Sequence, residues 1–395
     1  MNALDLPHPS ARLGAINGDA GDGWEILSTA RAAKAAGRDV VDLTIGDHDR
    51  TTPAPILDAL EASARGGHTG YASVPGIDAL RAALAARVTA RPGVATTAEN
   101  VLVTAGGQAA LFAAATGVAD PGDTLLYIDP YYATYPGTIR GAAARAVPVT
   151  ARAADGFQPT PHALAAAPPA RGLLINTPNN PTGVVYTEET LEQIAAFARA
   201  RNLWVISDEV YDGQVWSGQH LSPRALPGMA RRTLVVGSFS KSHIMTGSRI
   251  GWLIGPAPMI AQLSDLLTVT TYGVPGYIQD AALAALTDGA ALEREVAETY
   301  RRRRDLALAT LSGASGLSLV QPDGAMYVMV DIRATGLDGR SFAEALMQAH
   351  AVAVMPGESF GQAAAGHVRI ALTADDARLT KALDKLKTFA AGLAA

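Results

Sequence analysis

The sequence contains no cysteine, which excludes disulfides, thiolate nucleophiles and cysteine-ligated metals. Its eight histidines show no ligand-like spacing, so an HExxH-type metal site is excluded as well. Apolar runs such as Thr233 to Val236 are of strand length, far short of the roughly 20 residues that span a bilayer. The opening MNALDLPHPS has neither the basic start nor the apolar core of a signal peptide, and the expected location is the cytoplasm. A dominant charge is missing too: the net charge is −5 and both signs are mixed along the chain. The one dense cluster, Arg301 to Arg304, follows Glu293, Glu295 and Glu298. It reads as the charged face of a helix and not as a nucleic-acid patch. Lysine is scarce, five residues against twenty-seven arginines.

What is present is ample apolar material: 395 residues, 48% of them hydrophobic, enough for a large domain and a smaller one. Short runs rich in β-branched residues predict strands at Val101–Thr104, Thr124–Ile128, Ala146–Val149, Leu173–Asn176, Leu203–Asp208, Thr233–Ser238 and Ile250–Ile254. Helical spacing falls between them near 107–119, 160–167, 187–201 and 256–270, and earlier at Leu80, Leu84 and Val88. This alternation predicts an α/β fold, a mostly parallel buried sheet with helices on both faces. The last third differs: a long helix near 290–312, strands near 326–332, 351–355 and 367–372, and a closing helix near 374–393. The expected division is an N-terminal arm with part of a small domain over 1–45, a large domain over 46–284 and a small α+β domain over 285–395.

Of the lysines, Lys241 stands apart. It lies in SFSKSHIMTGSR, after the apolar strand TLVVG, at the strand end where α/β sheets bind ligands. A partly buried lysine there loses its proton more readily than one in water, as an amine nucleophile must. Ser238 and Arg249 bracket it and together supply the hydroxyl and cationic fork that a phosphate needs. TAGGQAALF runs from a strand through glycines into a helix, so its first N–H groups suit an anion. Asp208 closes the apolar run LWVISD, where a buried carboxylate requires a positive partner. Tyr211 follows it, NNPTG places Asn180 in a turn, and DPYYATY offers the ring of Tyr132 for stacking. Arg369 lies inside the strand HVRIAL, where it needs either an acidic partner or a carboxylate ligand.

Taken together, GYASVPGIDALR, TAGGQAALF, NNPTG, SDEVY, SFSKS, SRIGW and HVRIAL resemble, in order and spacing, the class I/II aminotransferases of the fold-type I pyridoxal-5′-phosphate (PLP) enzymes. The resemblance runs from Val40 to Ala371 and implies a seven-stranded large domain. It implies that Lys241 forms the Schiff base with PLP, that Asp208 pairs with the pyridine nitrogen, and that Tyr211 and Asn180 hold the phenolic oxygen while Tyr132 stacks on the ring. It further implies that Ser238, Arg249 and the Gly107–Gln108 amides hold the phosphate, joined by Tyr71 from the neighbouring subunit of a homodimer. The substrate carboxylate falls to Arg369, with Asn180 and the backbone of Gly46. GDGWEI, LPGMARRT, YGVPGYIQDAA and MYVMVDIRATGL look most like arginine–pyruvate transaminases.

That likeness implies transfer of an amino group from an L-amino acid, arginine or another long cationic one, to a 2-oxo acid such as pyruvate or 2-oxoglutarate. The alternatives are a PLP-dependent lyase, decarboxylase or oxidase on the same scaffold, or a non-catalytic binding module. Two positions depart from the pattern. His48 stands where relatives usually carry proline, which leaves the path of that loop open. Gln108 stands where some aspartate-using relatives carry lysine, which counts against a dedicated aspartate enzyme. Asp19, Asp22 and Glu25, just before the first helix, are either readers of a cationic donor or acids favouring a helix start.

Overall fold

A computed structural model of the chain describes residues 8–17, 24–91 and 93–394. Seven strands form the main sheet: β1 (Val101–Thr104), β2 (Thr124–Asp129), β3 (Arg145–Thr150), β4 (Gly172–Asn176), β5 (Trp204–Asp208), β6 (Thr233–Ser238) and β7 (Gly251–Ile254). Two longer strands of a second sheet are β8 (Tyr327–Asp331) and β9 (His367–Ala371). The helices that bear on the site are α1 (Trp24–Ala35), α2 (Asp78–Ala90), α3 (Gly107–Val118), α4 (Glu188–Ala200), α5 (Gly276–Asp288), α6 (Ala290–Leu311), α7 (Gly339–His350) and α8 (Asp376–Leu393).

The main sheet runs β1-β7-β6-β5-β4-β2-β3. Only β7 is reversed, antiparallel to β1 and β6, while the other pairs are parallel. Every residue of β1, β2, β4, β6 and β7 is buried, because helices cover both faces and leave no solvated side to alternate with. The pleat sends successive side chains to opposite cores: Leu174 and Ile206 pack on one face, Leu173 and Val205 on the other. β3, at the edge, stays largely exposed. Since β1, β2, β4, β5 and β6 share one direction, Thr104, Asp129, Asn176, Asp208 and Ser238 all end at the same edge of the sheet.

The second sheet pairs β8 antiparallel with β9 and is flanked by two-residue strands at Met355–Pro356 and Ser318–Leu319. Val41–Asp42 forms a short parallel ladder with Val352–Ala353. Ile26, Ala30, Val40 and Leu43 share one hydrophobic core with Val328, Phe342, Leu346 and Leu383. The chain's N-terminal segment therefore packs with its last third. Helix α5 lacks a counterpart in the sequence reading. It lies against both α2 and the helix Ala54–Arg65, and a helix contacted on two sides shows no single apolar stripe. Helix α7 was unforeseen as well, although Asp338 caps it by accepting the Ser341 N–H at 2.7 Å.

The Arg301–Arg304 run is occupied by structural ion pairs, Arg301 with Glu298, Arg302 with Asp376, and Arg303 with Asp49 and Asp376. Among the described residues no helix is long and apolar enough to cross a membrane.

A buried ionic cluster joins α2 to α6. Glu293 pairs with Arg87 and Arg91, both at 2.7 Å, and Arg91 reaches Asp212 at 2.7 Å. Burial alone would raise the Glu293 carboxyl, but the two guanidinium groups outweigh it and hold it down at about 2. A depressed carboxyl contributes stability above its unfolded value, here 4.5, and loses it as pH falls through the folded one. Glu293→Gln is expected to cost about 3 kcal/mol at neutral pH, because two cations lose their buried partner. Urea unfolding should show the gap between variant and wild type closing as pH drops from 4.5 toward 2. A gap that stays constant would show that the cluster is not held by this carboxylate's charge.

Candidate active site

The carboxyl edge of the main sheet and the second sheet enclose a cleft of about 270 Å³. It is lined by Gly46, Gly107, Tyr132, Asn180, Asp208, Tyr211, Ser238, Lys241, Arg249 and Arg369. Eleven of the twelve residues that the resemblance implicates thus meet in one place, Gln108 among them. The exception is Tyr71, which is 90% exposed and packs edge-on against Tyr272 at 4.8 Å.

Lys241 sits on a one-turn helix, Phe239–Ser242, that the Ser238 hydroxyl caps by accepting the Ser240 N–H at 3.1 Å. Its Nζ donates to the carbonyl of Gly46. Gly46 has to be glycine, because a Cβ there would lie 2.0 Å from the Tyr327 hydroxyl. At the other end of the turn, Arg249 holds φ +50°, a left-handed conformation that costs a non-glycine residue about 1 kcal/mol. The distortion lays its guanidinium against Gly106, where a Cβ would be 2.5 Å from Nη2. Gly106, at φ +82°, precedes α3, whose first N–H groups have no acceptor within the helix. Gly107 packs beside Ser238. A hydroxyl, a guanidinium and a helix N-terminus thus converge on one point, as an anion requires. The Gln108 side chain is engaged elsewhere, bonded to Thr138 at 2.6 Å and Thr134 at 3.0 Å, which leaves only its backbone for this cradle.

Asp208, at the tip of β5, is 4% exposed. Burial pushes its carboxyl up to about 6 despite hydrogen bonds from the Tyr135 hydroxyl at 2.7 Å and the Val210 N–H at 3.3 Å. Among the described residues no cation forms an ion pair with it. Tyr211 shares a hydrogen bond of 2.9 Å with Tyr327, and burial raises its hydroxyl well above the usual range. Tyr132 stands edge-on to Tyr135 at 5.8 Å and borders the cleft.

Arg369, on β9, is also 4% exposed. Its guanidinium lies between the rings of Tyr327 and Phe360, 4.3 and 4.4 Å from their centroids. It donates to Asn180 Oδ1 at 2.7 Å and to the carbonyl of Thr44. Among the described residues its Nε is buried without a partner and no carboxylate pairs with it, and burial lowers its proton affinity. Asn180 in turn is set by its own N–H bonding Asn176 Oδ1 at 2.7 Å. The side-chain oxygen faces Arg369, so the amide NH2 is left to donate.

Among the residues of the cleft that were missed in the sequence are Tyr135, Tyr327 and Phe360. Tyr135 lies three positions after Tyr132 in the same DPYYATY segment, so that segment already contained its signal. Tyr327 and Phe360 are an aromatic in a strand and one in a turn, and such residues look like ordinary core. Asp19 and Asp22 lie outside the described residues. Glu25 is turned to Arg340 at 3.2 Å on the surface, which favours its structural reading.

The profile of the family described as aminotransferase class I and II matches residues 38–386. An arginine–pyruvate transaminase of Pseudomonas aeruginosa is 43% identical over 96% of this chain and 97% of its own. An aspartate/prephenate aminotransferase of Thermus thermophilus is 39% identical over 91% and 93%. Among solved structures, the Thermus thermophilus aspartate aminotransferase with maleate superposes at a TM-score of 0.91 and 35% identity, covering 97% of this chain and 100% of that one. The Thermotoga maritima aspartate aminotransferase gives 0.90 at 32% identity over 96% and 99%. The chain belongs to the class I and II aminotransferases, PLP-dependent enzymes that move an amino group from an amino acid to a 2-oxo acid.

Proposed function

We propose that Lys241 is the amine that bonds the cofactor and moves the substrate's α-proton, and that Asp208 and Arg369 hold the cofactor ring and the substrate carboxylate. What supports this is a single observation: a lysine shares one cleft with a buried carboxylate and a buried guanidinium, neither of which has an ionic partner among the described residues. The residues fit PLP. Asp208 calls for a cation such as a protonated ring nitrogen, and the cradle of Ser238, Arg249 and the α3 N-terminus calls for a phosphate. Tyr211 and the Asn180 amide are the donors for a phenolic oxygen, and Tyr132 is the ring to stack on. When bound, the cofactor supplies an electron sink for the pair left on the amino acid's α-carbon. Arg369 orients the substrate carboxylate so that the α-hydrogen faces Lys241. Lys241 Nζ then takes that proton as general base and returns one as general acid.

We further propose arginine, or another long cationic amino acid, as donor and pyruvate as acceptor, on the 43% identity to an arginine–pyruvate transaminase. A screen of donors against pyruvate and 2-oxoglutarate tests this. Arginine with pyruvate should give the highest kcat/KM, and formation of 2-oxo acid and new amino acid should be stoichiometric. No turnover of arginine would remove the donor and leave the family intact. Glu25→Gln should change arginine and alanine turnover equally, since its carboxylate is engaged by Arg340.

The working form we infer is a cytoplasmic homodimer with Tyr71 reaching the partner's phosphate cradle, supported by the 90% exposure of this tyrosine outside its own cleft. Mixing Tyr71→Phe with Lys241→Ala chains should restore activity, because each heterodimer then holds one site with neither defect. Mixtures no more active than the Tyr71→Phe enzyme alone would refute the shared site.

A further inference from the structure

We propose that His48 is a positioning residue for Lys241: its imidazole ties the peptide bond before the lysine to helix α6 and so sets where the amine points and what it meets. The proposal rests on Lys241 being the cofactor-bearing amine.

His48 Nε2 lies 3.2 Å from the carbonyl oxygen of Ser240. A carbonyl only accepts, so Nε2 carries the hydrogen and Nδ1 is left with its lone pair. The Tyr300 hydroxyl, 2.9 Å away on α6, donates to that lone pair. The directed chain therefore runs from Tyr300 through the imidazole to the Ser240–Lys241 peptide. The carbonyl on the other side of Lys241 is held as well, accepting from Gln214 Nε2 at 3.2 Å. Both peptide groups flanking the lysine are thus gripped by side chains from outside its own short helix.

The loop that carries His48 meets the lysine turn at three successive residues. Gly46 accepts from Lys241 Nζ, Asp47 Oδ1 accepts from the Thr246 hydroxyl at 2.8 Å, and His48 grips Ser240. Asp47 Oδ1 also accepts the N–H of His48 at 3.0 Å, which fixes the imidazole relative to the other two contacts.

The titratable groups facing the ring are Lys241 on one side, Asp47 and Asp49 on its own loop, and Tyr300 on α6, with Arg303 behind, paired to Asp49 at 2.6 Å. Burial first, and then the charge of Lys241, bring the imidazole down to about 4. Through the neutral range it therefore supplies an N–H and a lone pair and brings no second positive charge to the amine.

Holoenzyme of wild type, His48→Leu, His48→Gln and Tyr300→Phe would be compared by kinetics and by pH titration of the visible band of the lysine-bound cofactor. Leucine fills the space, removes the N–H and keeps water from the Ser240 carbonyl. Its kcat is expected to fall about tenfold with KM for the donor nearly unchanged, the pattern of a lost orienting contact. The midpoint of the band should rise, because a carbonyl without its donor presents more negative charge to the protonated nitrogen. Glutamine, whose amide N–H reaches the same carbonyl, should recover most of both. Tyr300→Phe should shift the midpoint in the same direction by less.

A His48→Leu enzyme with wild-type kcat and midpoint would overturn the proposal. If that variant does not fold, an unmoved midpoint in Tyr300→Phe does the same. Borohydride reduction and peptide mapping of the wild type separate the two layers. A label on Lys241 with unshifted variant spectra rejects the role of His48 alone, and a label elsewhere rejects the reading of Lys241 as well.

Discussion

Lys241→Ala is expected to lower kcat/KM at least about 10⁴-fold, because the variant would lose the general acid–base proposed to move the α-proton. In free-energy terms this is about 5.4 kcal/mol of transition-state stabilisation. The protein should still bind the cofactor, since Ser238, Arg249 and the α3 N-terminus do not depend on the lysine. Lys241→Arg should be equally inactive: it keeps the positive charge facing Gly46, but a guanidinium does not lose its proton at neutral pH. The pair of variants separates proton transfer from charge. Equal loss in both, measured as the rate of 2-oxo acid release per enzyme site, supports the acid–base role. Activity above about a tenth of wild type in Lys241→Ala would remove Lys241 from the chemistry altogether.

Arg369→Leu is the second large effect. The variant would lose the planar fork proposed to hold the substrate carboxylate through two charge-assisted hydrogen bonds, together about 4 kcal/mol, so kcat/KM should fall about 10³-fold for every amino donor alike. Arg369→Lys should recover part of this, as a point charge without the fork. Stability gives an independent readout. A buried guanidinium paired to a structural carboxylate would leave an unfavourable remainder when deleted, whereas an unpaired one is a cost to the folded state. With Nε unpartnered and no acidic partner described, Arg369→Leu should melt at or above the wild-type temperature in the absence of substrate. A fall of several degrees would mean that Arg369 serves the fold and not the substrate.

Much of the fold could be read from the sequence because its elements are locally encoded. All seven strands of the main sheet lie where β-branched apolar runs sit between turn formers. Buried parallel strands show this plainly, since neither face has to be polar. The motif residues were legible for a related reason. Lys241, Asp208 and Arg369 are charges at the ends of, or within, apolar strands, where each demands an explanation, and the structure places all three on one cleft. Helix α5 was not legible, because its contacts on two sides remove the periodic stripe that marks a helix.

The partnerships of the site were decided only by tertiary structure. Nothing local tells Tyr135 that its hydroxyl meets Asp208 seventy-three residues on, or Tyr327 that it covers Gly46 and stacks on Arg369. His48 in the sequence is only a departure from the usual proline; in the fold it links α6 to the peptide before Lys241. The reversal of β7 likewise arises from pairing between distant segments. The sequence by itself determined which residues are costly to bury and which runs become strands, because those depend on composition and short-range geometry. Which groups meet, and therefore that Asp208 and Arg369 reach the cleft without ionic partners among the described residues, depends on contacts between segments far apart in the chain, and only the folded chain brings them together.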